Sequence, residues 1–320
     1  MTSVNSERIS QNFQTLKVIS ILVVFSGHFF QETLLWVPST FGLLVFAYSS
    51  AYFTTFKYNG SFNMQKYWLQ KIYRLGVNLF VINLFLGCLF MLREKKGIWT
   101  WQTIIHVFGM SGFLNWFDIA NPSPFGAGVW FLTLLLMFYL LYPFFNKFLV
   151  RREHIILFFL ITVFILAWMN KNVVIGHALW YTIFGFIYGF VIAKIDFRLS
   201  ERVSMLITLI LFSLLMFMNY FLHVKQYNFL LLISVFCFFA LLIEYIPLPR
   251  TVNVLGSFLS KYIFEIYLLH AYLMLRLTNI QAIDFLFTLL FVIVISMFLN
   301  YISQSLKNYL FERKLQTAPS

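Results

Sequence analysis

Charge is scarce in this chain of 320 residues: Asp, Glu, Lys and Arg make up 11% of it, against 61% hydrophobic and 21% aromatic residues. A soluble domain carries about 25% charged and about 45–50% apolar residues. The scarcity therefore excludes a water-facing globule and places the chain among membrane proteins. Cysteine is nearly absent. Cys88 and Cys237 both sit inside apolar runs, which excludes a disulfide framework and a cysteine metal site and leaves two small buried side chains. There is no paired-carboxylate site, no Gly-rich phosphate loop and no metal-ligand spacing. Internal repeats and low-complexity segments are missing too. The first apolar run ends in His28-Phe29-Phe30-Gln31-Glu32 without a small-residue cleavage site, so it reads as a retained span, not a signal peptide.

What the sequence has in quantity is uninterrupted apolar length. A helix crossing a bilayer needs roughly 20 apolar residues, or about 17 at the short end. Ten runs are expected to cross, at 16–30, 34–56, 72–92, 125–149, 155–169, 177–193, 203–222, 229–246, 258–277 and 285–306. Lipid offers the backbone no hydrogen bonds, so open-ended spans must be helices. The expected fold class is all-α: a polytopic membrane helical bundle with about ten transmembrane helices. It forms a single domain over 1–320, with a core over 12–310. The gap 93–124 is amphipathic and carries Trp99, Trp101 and Trp116, the composition of a segment that lies at the interface or re-enters it.

The net charge of +12 raises the question of nucleic acid, and the placement of the basic residues answers it. With both termini cytoplasmic, seventeen of the 23 basic residues fall on the inner side, as membrane insertion requires. Three of the six outer ones form the cluster Arg93-Glu94-Lys95-Lys96, which runs against that bias. No nucleic-acid partner is expected.

Few ionisable groups lie within the runs, which narrows the search for chemistry. Lys17 and His28 are eleven residues apart, three helical turns plus about 20°, so they share a helix face. A lysine near a span end can snorkel to water; a histidine further in needs a cavity or a partner across helices. His270 follows Lys261 by nine residues, so it lies about 13 Å along its helix. Two histidines entering from one side can line one cavity. Glu265 stands at i,i+4 from Lys261, the spacing of a helix ion pair, and Glu244 near a span end can snorkel. Lys71 and Arg74, three apart, would share a face and grip a phosphate together; positive-inside topology explains them equally. Trp130 and Tyr139 can stack on a sugar ring or serve packing and interfacial belts.

Taken in order, these motifs resemble the membrane-bound acyltransferase 3 family. The first is LKVISILVVFSGH, a basic residue and a histidine ten intervening residues apart (Lys17, His28). The second is AYSSAYF, where Ser49 is followed by Ser50 in place of the family's glycine. The third is QKIYRL, with Lys71 and Arg74. The fourth is VWFLTLLLMFYLLYP, with Trp130, Tyr139 and Pro143. The fifth is FEIYLLH, with Glu265, Tyr267 and His270. Gln14 stands where an acidic residue often precedes the first basic one.

The resemblance implies transfer of an acyl group, commonly acetyl, from cytoplasmic acyl-CoA to a hydroxyl of a surface polysaccharide or lipid-linked glycan. It implies His28 as general base or as relay of the acyl group, Lys17 in electrostatic or donor-binding support, and Lys71 and Arg74 on the CoA phosphates. Ser49, Trp130, Tyr139, Glu265, Tyr267 and His270 would shape the pocket, with Tyr267 and His270 facing the developing oxyanion. No metal or prosthetic group is called for, acyl-CoA being a cosubstrate. The partners implied are acyl-CoA, the glycan acceptor, the lipid bilayer, and a glycan-assembly machinery or a second copy of the chain. The location implied is a bacterial plasma membrane. The competing expectation is a transporter or flippase with mid-membrane histidines in its pathway; the lack of a repeat counts against it.

Overall fold

The computed structural model describes residues 3–31, 35–60, 62–173, 178–243 and 245–316. Glu244, and the starts of the second and sixth expected runs at Leu34 and His177, lie outside the described residues. Every regular element among the described residues is a helix, as a lipid solvent demands. In order they are α1 Ser3–Phe30, α2 Trp36–Tyr58, α3 Met64–Lys71, a π-helical turn Ile72–Gly76, α4 Val77–Leu92, α5 Trp101–Val107, α6 Ser111–Trp116, α7 Trp130–Phe148, α8 Arg152–Asn172, α9 Leu179–Ile195, α10 Glu201–Tyr220, α11 Asn228–Leu242, α12 Arg250–Ser260, α13 Ile263–Leu269 and α14 Gln281–Gln316.

Each of the ten apolar runs carries helix. Among the described residues, six helices are long and apolar enough to cross a membrane: Arg8–Phe30, Met64–Leu92, Trp130–Phe148, Arg152–Asn172, Glu201–Tyr220 and Gln281–Leu310. The pair α12 and α13 would make a seventh. The chain is thus a polytopic helical membrane protein. Two details differ from the sequence reading. The ninth run is not one helix, since the chain breaks after Ser260 and resumes at Ile263. The first helix starts at Ser3 rather than Leu16, because its polar opening turns can hydrogen-bond along the helix as well as the apolar ones do. Lys17 therefore stands mid-helix and His28 in the last turn.

The chain separates into two compact units, each discontinuous in sequence. The first comprises Met1–Gly27, Glu32–Gly60 and Phe138–Ser260. Here α2 lies against α9, α8 against α9, and α10 against α11. Its centre is aromatic, built on buried Tyr48, Phe184, Tyr188 and Phe236. Small residues let α2 and α9 approach closely: a Cβ on Gly189 would overlap the Tyr48 carbonyl, and one on Gly185 would meet Ala47 Cβ at 2.9 Å. Buried polar groups bond across helices. Asn12 Nδ2 donates to the carbonyls of Ile243 (2.7 Å) and Ile246 (3.0 Å). The Asn219 and Asn228 amides exchange bonds of 2.7 and 2.8 Å between α10 and α11.

The second unit comprises His28–Gln31, Ser61–Met137 and Lys261–Ser320. It holds the last turn of α1, the α3–α4 segment, α5, α6, the start of α7, α13 and α14. α14 packs on α4 and α13, and α13 on α4. Asn63 caps α3, its side chain accepting from Lys66 N at 2.9 Å, which satisfies one of the orphan donors of a helix start. The 93–124 segment folds into α5 and α6, tied to α7 through Thr133. That hydroxyl accepts from Gly112 N (2.8 Å) and donates to Gly109 O (2.9 Å). Trp99 and Trp101 are exposed.

Candidate active site

The second unit brings His28 and His270 together. Their ring centroids are 5.2 Å apart, with planes tilted by 49°. One ring is open and the other closed: His28 is exposed, and His270 is fully buried at the end of α13. His270 Nδ1 lies 2.6 Å from the Tyr267 carbonyl oxygen. A carbonyl can only accept, so Nδ1 carries the proton and Nε2 is the basic nitrogen.

Three contacts hold this pair. Arg276 Nη2 donates to Phe29 O at 2.7 Å, and its guanidinium lies 3.9 Å from the Phe29 ring centroid. A cation on the final carbonyls of a helix satisfies an orphan acceptor and complements the helix dipole, so Arg276 fixes the turn that presents His28. Tyr267 OH donates to Gly128 O at 2.8 Å. Gly126 N donates to Tyr272 OH at 2.7 Å. The loop so anchored passes close to His270: a Cβ on Gly128 would stand 3.9 Å from His270 Cε1, and Gly128 has φ +72°. A side chain there would be strained in backbone and crowd the imidazole.

Below the pair, buried Glu265 accepts from Asn78 Nδ2 of α4 and from Asn300 Nδ2 of α14 (2.9 Å), both on Oε1. The expected helix pair with Lys261 does not form. α13 begins at Ile263, so Lys261 precedes the helix and is exposed; the i,i+4 geometry has no helix to act through.

The other sequence-derived residues divide. Lys71 closes α3, with its ammonium 5.3 Å from the buried Tyr67 ring centroid. Arg74 is exposed and lies inside the π turn. The wider turn changes the angle per residue, so the shared-face argument from α-helical spacing does not carry from Lys71 to Arg74. Trp130 opens α7, half-buried beside Phe131. Lys17, Ser49 and Tyr139 belong to the first unit. Lys17 Nζ stands 5.9 Å from the Phe53 ring centroid, and Ser49 donates to Phe46 O at 3.1 Å within its own helix.

Sequence reasoning missed Arg276, Asn78 and Asn300. The two asparagines carried a usable signal, being amides inside apolar helices, where they serve as interhelical glue. It also missed His106 in the 93–124 segment. His106 Nε2 lies 3.0 Å from Asn121 Oδ1 and Nδ1 lies 2.7 Å from Ser111 Oγ. The amide oxygen only accepts, so Nε2 carries the proton and Nδ1 accepts from Ser111. Burial holds this histidine below its ordinary value, partly offset by the Asn121 bond. His106 also lines a small crevice with Phe125, Gly126, Leu268 and Tyr272. Among the described residues, no three His, Cys, Asp or Glu side chains are grouped to hold a metal ion.

The acyltransferase 3 family model, described as an acyltransferase domain, matches residues 11–303. No curated protein and no solved structure matched the chain. The matched segment takes in both compact units, the paired histidines and nearly the whole helical array, and the chain belongs to the acyltransferase 3 family as a membrane acyltransferase.

Proposed function

We propose that this acyltransferase moves an acyl group, acetyl in the simplest case, from cytoplasmic acyl-CoA to a hydroxyl of a surface polysaccharide or lipid-linked glycan. The membrane is a bacterial plasma membrane and both chain termini are cytoplasmic. The observation that carries the reading is the pairing of exposed His28 with buried His270 at 5.2 Å. An exposed imidazole can reach an acceptor hydroxyl. A buried neighbour with its tautomer set by a carbonyl can orient it and share its proton.

His28 takes the proton of the acceptor hydroxyl as the oxygen attacks the thioester carbonyl. The new C–O bond forms, the C–S bond breaks, and the proton passes to the leaving thiolate. The products are an ester and free CoA. General-base assistance of this kind is worth about 100- to 10,000-fold. Tyr267 spends its proton on Gly128 O, which makes it a positioning residue that holds the 126–128 loop beside His270. Lys71 and Arg74 bind the donor's phosphates, and Lys17 supplies electrostatic support. Ser49, Trp130 and Tyr139 serve packing and acceptor contact.

The test is transfer from labelled acetyl-CoA to glycan in membranes containing the protein. His28→Ala should lower the rate by roughly 100-fold or more at unchanged protein level. Full activity of that variant would remove His28 from the mechanism. Movement of a glycan with no covalent acyl product would replace the reading by transport.

A further inference from the structure

Glu265 is fully buried inside the apolar helices of the second unit, and its two oxygens are treated unequally. Oε1 accepts from the amides of Asn78 and Asn300, whereas Oε2 is buried with no hydrogen-bond partner. Among the described residues no cationic side chain stands within ion-pair distance of it; Lys307 attracts it from farther away. An ion stripped of water and given no partner is costly, so buried charges are paired or coordinate metals.

Three more oxygens share this condition. Asn78 Oδ1 belongs to the amide that holds Oε1, and it too is buried without a hydrogen-bond partner. So are the hydroxyls of Ser296 and Ser303, both fully buried on α14. They stand four residues before and three residues after Asn300, so all three lie on one helix face within about a turn. The bond from Asn300 to Glu265 brings that face to the carboxylate. α4, α13 and α14, which pack on one another, thus each supply unused oxygens to the surroundings of one carboxylate.

Buried polar groups ordinarily find partners, so orphans gathered around one carboxylate call for an occupant. The donor set is one carboxylate, one amide carbonyl and two hydroxyls, all oxygen, which suits a hard cation. A water molecule would take the hydrogen bonds but leave the carboxylate charge in low dielectric. A single carboxylate already drawn to Lys307 balances one positive charge, not two, which favours a monovalent ion over a divalent one. No spacing in the sequence announces such a site, because its oxygens come from three helices.

We propose that the second unit binds a monovalent hard cation, of the class of sodium, between α4, α13 and α14. Glu265 Oε2 and Asn78 Oδ1 are its main ligands, with the Ser296 and Ser303 hydroxyls completing the oxygen shell. The ion neutralises the carboxylate and ties α13 to its two neighbours. α13 carries Tyr267 and leads directly into His270, so the ion steadies the buried member of the histidine pair without touching it. This role holds whatever the acyl donor and acceptor are.

The experiment is thermal unfolding of the full chain in detergent over a sodium chloride titration, with choline chloride holding the ionic strength constant. Binding of radioactive sodium is measured alongside. The wild type should bind sodium saturably, and its melting temperature should rise with occupancy. Glu265→Gln keeps the shape and an oxygen for Asn78 and Asn300 but removes the charge; it should lose both responses. The serines give the sharper reading. Replacing an unpartnered buried hydroxyl by hydrogen is otherwise neutral or stabilising, whereas losing an ion ligand weakens binding. Ser296→Ala and Ser303→Ala should each fold, and each should raise the half-saturating sodium concentration roughly tenfold, the scale of one lost contact to a charge. A wild type that melts alike in sodium and choline and binds no sodium overturns the proposal. Sodium binding undiminished in Glu265→Gln overturns the site. Should that variant fail to fold, unchanged half-saturation in both serine variants overturns it instead.

Discussion

At the scale of single residues, Arg276 separates positioning from chemistry. It touches no reacting group, yet it bonds Phe29 O and stacks on the Phe29 ring one residue beyond His28. Removing it frees the turn that carries His28, and displacement of a catalytic group by about 1 Å can cost on the order of 100-fold. Arg276→Met is expected to lower the acyl-transfer rate roughly 10- to 100-fold with little change in the donor concentration needed. Arg276→Lys should recover part of the loss, since an ammonium can reach the carbonyl but cannot match the guanidinium's planar stacking. A rise in donor requirement with an unchanged maximal rate would contradict the positioning role. His106 supplies a second prediction. Burial holds it below histidine's ordinary 6.5, so the unfolded segment binds the proton more readily than the folded one. Its contribution is fully present above 6.5 and is lost as pH falls from there through the lower folded value. Protection factors for amide exchange over residues 100–129, each corrected for the intrinsic pH dependence of exchange, should therefore fall at pH 5 relative to pH 7.5. In His106→Gln that pH step should shrink; an undiminished step would assign it elsewhere.

At the scale of helices, composition and run length made the architecture legible. Each of the ten apolar runs carries helix, because the need to satisfy backbone groups in lipid is local and leaves one answer. Pairing of His28 with His270 was open to anticipation from their similar positions along two helices. What the sequence hid was set by neighbours. The break before Ile263 has no proline or glycine to announce it. The π turn that separates Arg74 from Lys71 cannot be read from residue identity. Contact between α2 and α9 gives a helix-scale test. Gly189 faces the Tyr48 backbone carbonyl, which cannot rotate away as a side chain would. Gly189→Val should destabilise the protein by about 2–3 kcal/mol, the cost of overpacking a tight contact. Gly60→Ala, with nothing within 4 Å of its Cβ, should melt like the wild type. Equal melting temperatures for all three proteins in detergent would show that the α2–α9 approach is not tight.

At the scale of the whole molecule, function and topology constrain each other. CoA is cytoplasmic, so the donor-phosphate role proposed for Lys71 and Arg74 requires the Lys66 end of the Met64–Leu92 helix to face inward. That helix has 29 residues; at about 1.5 Å each it spans more than the roughly 30 Å hydrocarbon core, so Lys96 beyond its far end must face outward. The positive-inside rule favours this direction across the chain, since ten spans with cytoplasmic termini would put seventeen of the 23 basic residues inside. The Arg93-Glu94-Lys95-Lys96 cluster opposes it locally, and Arg93 is committed to a long bond with Tyr272 O, 3.5 Å. The disagreement is resolved by labelling. In a Cys88→Ser, Cys237→Ser background, Lys96→Cys in intact cells should react with a membrane-impermeant maleimide. Lys66→Cys should react only after permeabilisation. The reverse pattern would place Lys71 and Arg74 on the outer face, where cytoplasmic acyl-CoA cannot reach. The paired histidines would then need a different donor.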